Sequence, residues 1–351
     1  KSTPPLGLAL IAGALHTAKH EITVVDAIAE SPYQIFPFDE QISVNGLTFQ
    51  ELIEKIPSDI ELIGFSFMFS NNWLLYRQLI EIVGNTFPNA LIMAGGEHIT
   101  AIPELCFKQT KQLDIAVLGE GEETVTKIVE VLEANGDLET VDGIVYRTPT
   151  GEIKTTPRRN RIREISKIPK PLWSVFPLDN YEKYKLAWGV DRGKSIPIMA
   201  TRGCPYQCTF CSSPQMWTTR YMMREPKEVL EEISYLYHTY DIRNFDFYDL
   251  TAIIKRNWIL DFCKVLVESG LKITWQIPAG TRSEAIDYEV ATWLYKAGCR
   301  NITYAPESGS PATLKTIKKK VNLNNILHSI ADSRKAGLNI KLNMIVGFPC
   351  E

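Results

Sequence analysis

No stretch of this 351-residue sequence is apolar for anything like the roughly 20 residues that a membrane-spanning helix needs. The nearest, LGLALIAGALHTA (6–18), is shorter and gives way to Lys19 and His20. Pro4-Pro5 precede it, where a secretion signal would carry a basic start. An excess of positive charge is also missing. The net charge of −3 excludes the broad basic field of a nucleic-acid binder, and Arg158-Arg159 and Lys318-Lys319-Lys320 read as solvated surface. Nor is there a disulfide framework: the seven cysteines are an odd number without secretory features around them. Cys106, Cys263, Cys299 and Cys350 stand singly among apolar neighbours and read as buried thiols. A soluble, cytoplasmic protein is the default. With 45% hydrophobic and 23% charged residues, the chain has material for two ordinary globular domains.

What is present is an alternation of strands and helices. EITVVDA (21–27), IELIGFSFMF (60–69), ALIMAGGEH (90–98) and IAVLGEGE (115–122) are strand-like runs, with helical patterns over 6–19, 48–56, 72–86 and 123–134. Continuous apolar strands between amphipathic helices predict an α/β, doubly wound parallel sheet, Rossmann-like, over 1–142. Ligands bind beyond the carboxyl ends of such strands. Residues 143–156 predict a hairpin turning at Thr148–Gly151, and with the Pro-rich stretch to 194 they form the interdomain linker, tacked down by Trp173 and Phe176. From 195 the alternation resumes in SIPIMAT, NFDFYD, KITWQIPAG, NITYAPESG and IKLNMIVGF, with helices near 225–239, 255–269, 287–297 and 323–336. Five strands with intervening helices predict a partial (β/α) barrel over 195–351. No strand precedes the first helix and the sequence stops after the fifth barrel strand, so the natural protein is expected to extend in both directions.

The cysteines that stand apart lie in TRGCPYQCTFCSSP (201–214): Cys204, Cys208 and Cys211, with no fourth Cys or His nearby. A structural zinc site takes four protein ligands, and an iron–sulfur cluster normally takes four cysteines. Three cysteines suit a [4Fe–4S] cluster with one iron left open, a three-thiolate zinc site, or core thiols with no metal at all.

The spacing C-x-x-x-C-x-aromatic-C after the first strand of a (β/α) domain resembles the radical S-adenosylmethionine (radical SAM) enzymes. NFDFYDLT resembles that family's second strand end, TWQIPAGTRSEAID its third strand, YAPESGS its fourth and MIVGFPCE its fifth, with Cys350 where a glycine is usual. The resemblance covers essentially all of 195–351. It implies that Cys204, Cys208 and Cys211 hold a [4Fe–4S] cluster whose fourth iron binds S-adenosylmethionine. It further implies that Phe210, Tyr248, Asp249, Arg282, Glu307, Ser308 and Gly347 surround that cofactor. From the residues alone, Asp249 also reads as a helix N-cap, Arg282 as a surface ion-pair partner, and Glu307-Ser308 as the start of a turn.

PPLGLALIAGAL, GFSFMF, GGEHITAIPE and VLGEGEET, in that order, resemble the cobalamin-binding domain attached to one large radical SAM class. That resemblance spans 4–134 and places Leu6, Gly7, Ser66, Phe67, Gly95, Gly96, Glu97, His98, Gly119, Glu120, Gly121 and Glu122 at cobalamin. The D-x-H-x-x-G motif that supplies a cobalt-ligating histidine is missing, and Pro4 stands where the histidine would be. Cobalamin is therefore expected without a histidine ligand from that loop, and His98 in a structural or ligand-edge role.

The leading reading is a cobalamin-dependent radical SAM enzyme that methylates an unactivated carbon of a small-molecule substrate. The family resemblance supplies its course: methyl from one S-adenosylmethionine passes to cobalamin, and a second yields a 5′-deoxyadenosyl radical that abstracts hydrogen from the substrate. An external low-potential electron donor, flavodoxin or ferredoxin in type, is implied. A methylthiotransferase is excluded, because only Cys106 lies in 1–195, too few for a second cluster. An oxidative cyclase or ring-rearranging enzyme keeps both cofactors and is the alternative. A zinc-binding scaffold with a ligand-sensing domain is the non-enzymatic one.

Overall fold

The structure, a computed structural model, describes residues 3–281, 283–349 and 351. Arg282 and Cys350, both singled out above, lie outside the described residues. The chain divides into two compact units, Pro5–Ile162 with Lys167–Asn180, and Arg163–Ser166 with Tyr181–Glu351 and the short segment up to Pro4.

The first unit runs α1 (Leu6–Thr17), β1 (Leu62–Ser66), α2 (Trp73–Thr86), β2 (Leu91–Gly95), α3 (Glu97–Ala101), β3 (Ile115–Val117), α4 (Glu122–Glu133), β4 (Ile144–Arg147) and β5 (Ile153–Thr155). These strands lie in that order in one sheet, parallel from β1 to β3 and antiparallel thereafter. Strand alternation sends successive side chains to opposite faces. Ile92, Ala94 and Ala116 therefore join Ile80 and Val83 of α2 in one core, while Met93, Ile115 and Val117 join Val125, Ile128 and Val131 of α4 in another. Helices on both faces explain why the strands read as continuous apolar runs. α1 buries a face of small residues, Ala9, Ala12, Gly13 and Ala14, because backbone runs against it. Leu172 N–H bonds Ala9 O at 2.9 Å, and a Cβ on Gly13 would stand 2.0 Å from Lys170 O.

Two expectations for this unit are corrected. Residues 21–26, expected as a strand, form none; among the described residues no neighbour pairs with them, and a strand exists only through its ladder. The hairpin at 143–156, assigned to the linker, instead forms the far edge of the first sheet. Ile144, Val145 and Tyr146 are buried, and the open side of β3 supplies the hydrogen bonds they need. Trp173 and Phe176 of the linker are buried edge to face, ring centres 5.7 Å apart.

The second unit runs β6 (Ser195–Ile198), α5 (Pro226–Tyr240), β7 (Asn244–Phe247), α6 (Arg256–Glu268), β8 (Thr274–Thr281), α7 (Tyr288–Lys296), β9 (Cys299–Glu307), α8 (Leu323–Lys335) and β10 (Asn339–Met344). All neighbours are parallel and the spatial order is sequential, β6 to β10. An all-parallel sheet in sequential order, with a helix between each pair of strands, is the arrangement of a barrel segment. Phe245 and Phe247 are buried on the helical side, with Phe247 against Phe262 and Trp275 at 5.6 and 4.8 Å. Asp246 and Gln276, one residue out of phase, face the other way and carry polar groups into the interior. Among the described residues no helix is long and apolar enough to cross a membrane.

Candidate functional site

The cysteine loop leaves the carboxyl end of β6 through a short strand, Thr201–Arg202, paired antiparallel with Met222–Met223. Cys204 and Cys208 are half-buried and Cys211 is exposed. Asp249, fully buried after β7, anchors the loop: its carboxylate accepts Ala200 N–H at 3.3 Å and Thr201 N–H in a short contact. Burial pushes this carboxyl up to about 6, against hydrogen bonds from Thr201 and Ala200 that favour its charged form. Asp249 thus touches the segment that aims the cysteines. Among the described residues, no three His, Cys, Asp or Glu side chains converge on a point that would hold one metal ion. Three free thiols carried on one loop, Cys204, Cys208 and Cys211, are the donor chemistry of an iron–sulfur cluster.

Of the other residues singled out, Phe210 lies in the loop itself, and Tyr248, Glu307, Ser308 and Gly347 lie at or just past the carboxyl ends of β7, β9 and β10. Phe210 lies 5.7 Å from the Phe348 ring. Glu307 ends β9 at φ +66°, in the left-handed region, and its carboxylate meets Lys319 Nζ at 2.9 Å. Ser308 is buried; its hydroxyl accepts Ser310 N–H at 3.1 Å and donates to Glu351 Oε1 at 3.5 Å. Gly347 N–H bonds the other Glu351 oxygen at 3.0 Å. Tyr248 packs edge-on to Trp188, ring centres 5.0 Å apart, and burial pushes its phenol up from its usual range.

Deeper in the sheet, Asp246 Oδ1 accepts a bond from Gln276 Nε2 at 2.7 Å. The same amide nitrogen bonds Val190 O at 3.0 Å, and Gln276 Oε1 accepts Val190 N–H at 3.0 Å. One side chain therefore pairs with Val190 as a neighbouring strand would. Burial pushes the Asp246 carboxyl up to about 6, partly opposed by hydrogen bonds from Gln276 and Ser195.

In the first unit the residues named for cobalamin gather at the carboxyl ends of β1, β2 and β3 and at the start of α1, α3 and α4. Gly7 and Ser66 are exposed, and Leu6, Gly95, Gly96 and Glu97 are half-buried. Gly96 has φ +103°, and a Cβ there would stand 2.5 Å from Phe67 O, so only glycine lets the two strand-end loops meet. The Phe67 ring is buried between Phe65 and Tyr76, which leaves only its backbone to a ligand. Gly119 N–H bonds Thr100 Oγ1 at 3.0 Å; Gly121 packs under Ile11; Glu122 is buried at the start of α4.

Two members of this group are engaged elsewhere. His98 is buried, with Nδ1 2.9 Å from Ser70 Oγ, Nε2 3.6 Å from Cys106 Sγ and its ring against Trp73. Burial pushes its pKa down, and both ring nitrogens are occupied, which is a structural role. The Glu120 carboxylate accepts Arg161 Nε at 3.0 Å, Arg161 Nη2 at 3.2 Å and Ile162 N–H at 3.0 Å. Arg161 and Gln276 are residues that sequence reasoning missed, and Lys319, read from the sequence as solvated surface, is instead largely buried and paired with Glu307. Only the 12-residue separation of Lys319 from Glu307 is short enough to have offered a signal.

Comparison with known proteins agrees with this geometry. The B12 binding domain model matches residues 1–129 and the Radical SAM superfamily model matches 198–351. An uncharacterized methyltransferase of Pyrococcus horikoshii, PH0819, is 29% identical over 349 residues, 99% of this chain and 70% of the relative. The anaerobic magnesium-protoporphyrin IX monomethyl ester cyclase of a Synechocystis strain is 30% identical over 90% of this chain and 59% of its own length. Among solved structures, the radical S-adenosylmethionine methyltransferase TsrM from Kitasatospora setae superposes with a TM-score of 0.78 at 17% identity. That match covers 100% of this chain and 68% of TsrM and speaks for the fold. With a B12-binding domain ahead of a radical SAM domain, the chain belongs to the cobalamin-binding radical S-adenosylmethionine enzymes.

Proposed function

We propose that this protein is a cobalamin-dependent radical SAM methyltransferase acting on an unactivated carbon of a small molecule. The observation that carries the reading is the three-cysteine loop at the carboxyl end of the first strand of a sequential parallel sheet, in a chain that also has a B12-binding domain. When bound, the [4Fe–4S] cluster with S-adenosylmethionine supplies a 5′-deoxyadenosyl radical, and cobalamin supplies the methyl carrier. Cys204, Cys208 and Cys211 hold the cluster and leave one iron for S-adenosylmethionine. Phe210, Tyr248, Ser308 and Gly347 line that cofactor's side of the sheet, while Asp249 acts through Ala200 and Thr201 to aim the loop. Leu6, Gly7, Ser66, Gly95, Gly96, Glu97, Gly119 and Gly121, together with Phe67 backbone, form the cobalamin edge. His98 stays with Ser70 and Cys106, so cobalt takes no imidazole from it. An external flavodoxin- or ferredoxin-type donor reduces the cluster, and the protein works in the cytoplasm.

The test is anaerobic reconstitution followed by product analysis with labelled S-adenosylmethionine. The expected result is iron and sulfide bound, with both 5′-deoxyadenosine and S-adenosylhomocysteine formed. Zinc in place of iron, with no S-adenosylmethionine turnover, would overturn the reading. The cyclase relative favours a second one, oxidative cyclisation, for which 5′-deoxyadenosine without S-adenosylhomocysteine is the signature.

A further inference from the structure

The cysteine loop is gripped by a turn that none of the strand-end motifs contains. The short helix Pro311–Thr316 closes with Lys319 N–H on Leu314 O at 2.9 Å and Lys318 N–H on Lys315 O at 3.2 Å. Lys318 takes φ +54°. This is a Schellman turn with lysine where glycine is usual, and it points the next residue back over the helix end. The turn touches the loop twice. Ile317 O accepts Thr209 N–H at 3.0 Å, and Lys319 Nζ lies 5.9 Å from the centre of the Phe210 ring, one residue before Cys211. The same ammonium is 2.9 Å from Glu307 Oε1, and the two side chains are only 13% and 10% exposed.

We infer that Lys319 and Glu307 are paired beside the loop so that each neutralises the other's effect on the reduction potential of the cluster that Cys204, Cys208 and Cys211 hold. This rests on the cluster reading proposed above. Reduction adds one electron, delivered by the external donor, and neither makes nor breaks a bond at these residues. A fixed positive charge beside the loop favours the electron-rich state and a fixed negative charge opposes it. Poor hydration leaves both effects weakly screened. In the intact pair the two charges largely cancel. Removing either partner exposes the other, so the two single variants must move the potential in opposite directions. A merely structural clamp has no such sign.

The experiment is an anaerobic redox titration of the reconstituted full-length chain, followed by electron paramagnetic resonance in the absence of S-adenosylmethionine. Relative to wild type, Lys319→Met is expected to shift the midpoint negative and Glu307→Gln to shift it positive. Lys319→Arg keeps the charge and should stay near wild type, and the double variant K319M/E307Q should return toward it. Iron and sulfide content accompany each value. Unchanged midpoints in both single variants, or shifts of the same sign, would overturn the inference. If Lys319→Met takes up no iron, Glu307→Gln against Lys319→Arg decides the question. A wild-type protein that binds zinc and no iron defeats the cluster reading itself, a result distinct from any of these.

Discussion

Replacing Glu120 with alanine should unfasten the strand-end loop at 118–122 from the segment at 161–162. The Glu120 and Arg161 side chains are 4% and 8% exposed, so removing the carboxylate breaks a buried ion pair. Ile162 N–H would lose its acceptor as well. Breaking a buried pair by deleting one member costs about 3–5 kcal/mol. Against a typical stability of roughly 5–15 kcal/mol, that is about a fifth or more of the whole. Urea unfolding reads it directly: with a slope of about 2 kcal/mol per molar, the midpoint should fall by roughly 2 M. Hydrogen exchange localises the loss to peptides covering 118–134 and 159–162. Changing both partners to leucine removes the charge imbalance and should recover most of the stability, since buried pairs often do no better than well-packed hydrophobes. A cost for Glu120→Ala under about 1 kcal/mol, or a double variant as unstable as the single, would refute this reasoning. Weakened cobalamin binding without loss of stability would show that the carboxylate instead serves the cofactor.

Asp246 makes a pH-dependent contribution. Its folded-state pKa of about 6 lies above the ordinary 3.8, so the folded protein holds this proton more tightly. The stabilisation is complete below the lower value and lost as pH rises through the higher. Asp246→Asn removes that slope; wild-type stability minus variant stability should fall by roughly 3 kcal/mol between pH 4 and 8, and an equal difference at both pH values contradicts it. Gly13→Ala gains about 1 kcal/mol in helix propensity, but its Cβ meets Lys170 O, and overpacking against backbone should cost about 3 kcal/mol. A lowered melting temperature is expected, and a raised one would show that the backbone gives way. His98→Ala should destabilise by about 2–4 kcal/mol through lost packing on Trp73 and a severed link between Ser70 and Cys106. The Co(II) spectrum of the loaded protein should be the same with and without His98; nitrogen superhyperfine coupling that vanishes in the variant would contradict its structural role.

The repeating elements were legible because each announces itself locally. Helices expected over 225–239 and 287–297 form over 226–240 and 288–296, opened by a Glu225–Glu228 capping box and by Asp287. The run 21–27 misled because Ile22, Val24 and Val25 carry strand character, which cannot create the neighbour a ladder requires. The cysteines and strand-end residues could be singled out in the sequence because their signal lies in contiguous motifs. What was not legible is the set of partners those residues meet from far away. Arg161 reaches Glu120 across 41 residues and Gln276 reaches Val190 across 86, and nothing near either one marks the pairing. Glu120 illustrates the cost of this: it reads as a ligand-edge residue, yet its carboxylate is engaged by Arg161 and Ile162.

Gln276 has a consequence beyond holding Val190. Its nitrogen carries two protons and bonds both Val190 O and Asp246 Oδ1, so each proton has its acceptor. When Asp246 changes charge, the strength of one of those bonds changes, and the amide transmits the difference to the backbone two residues from Trp188. An indole seated against Tyr248 thereby becomes an optical readout of the charge on a carboxyl inside the sheet, so the emission of Trp188 should titrate with Asp246 and lose that transition in Asp246→Asn.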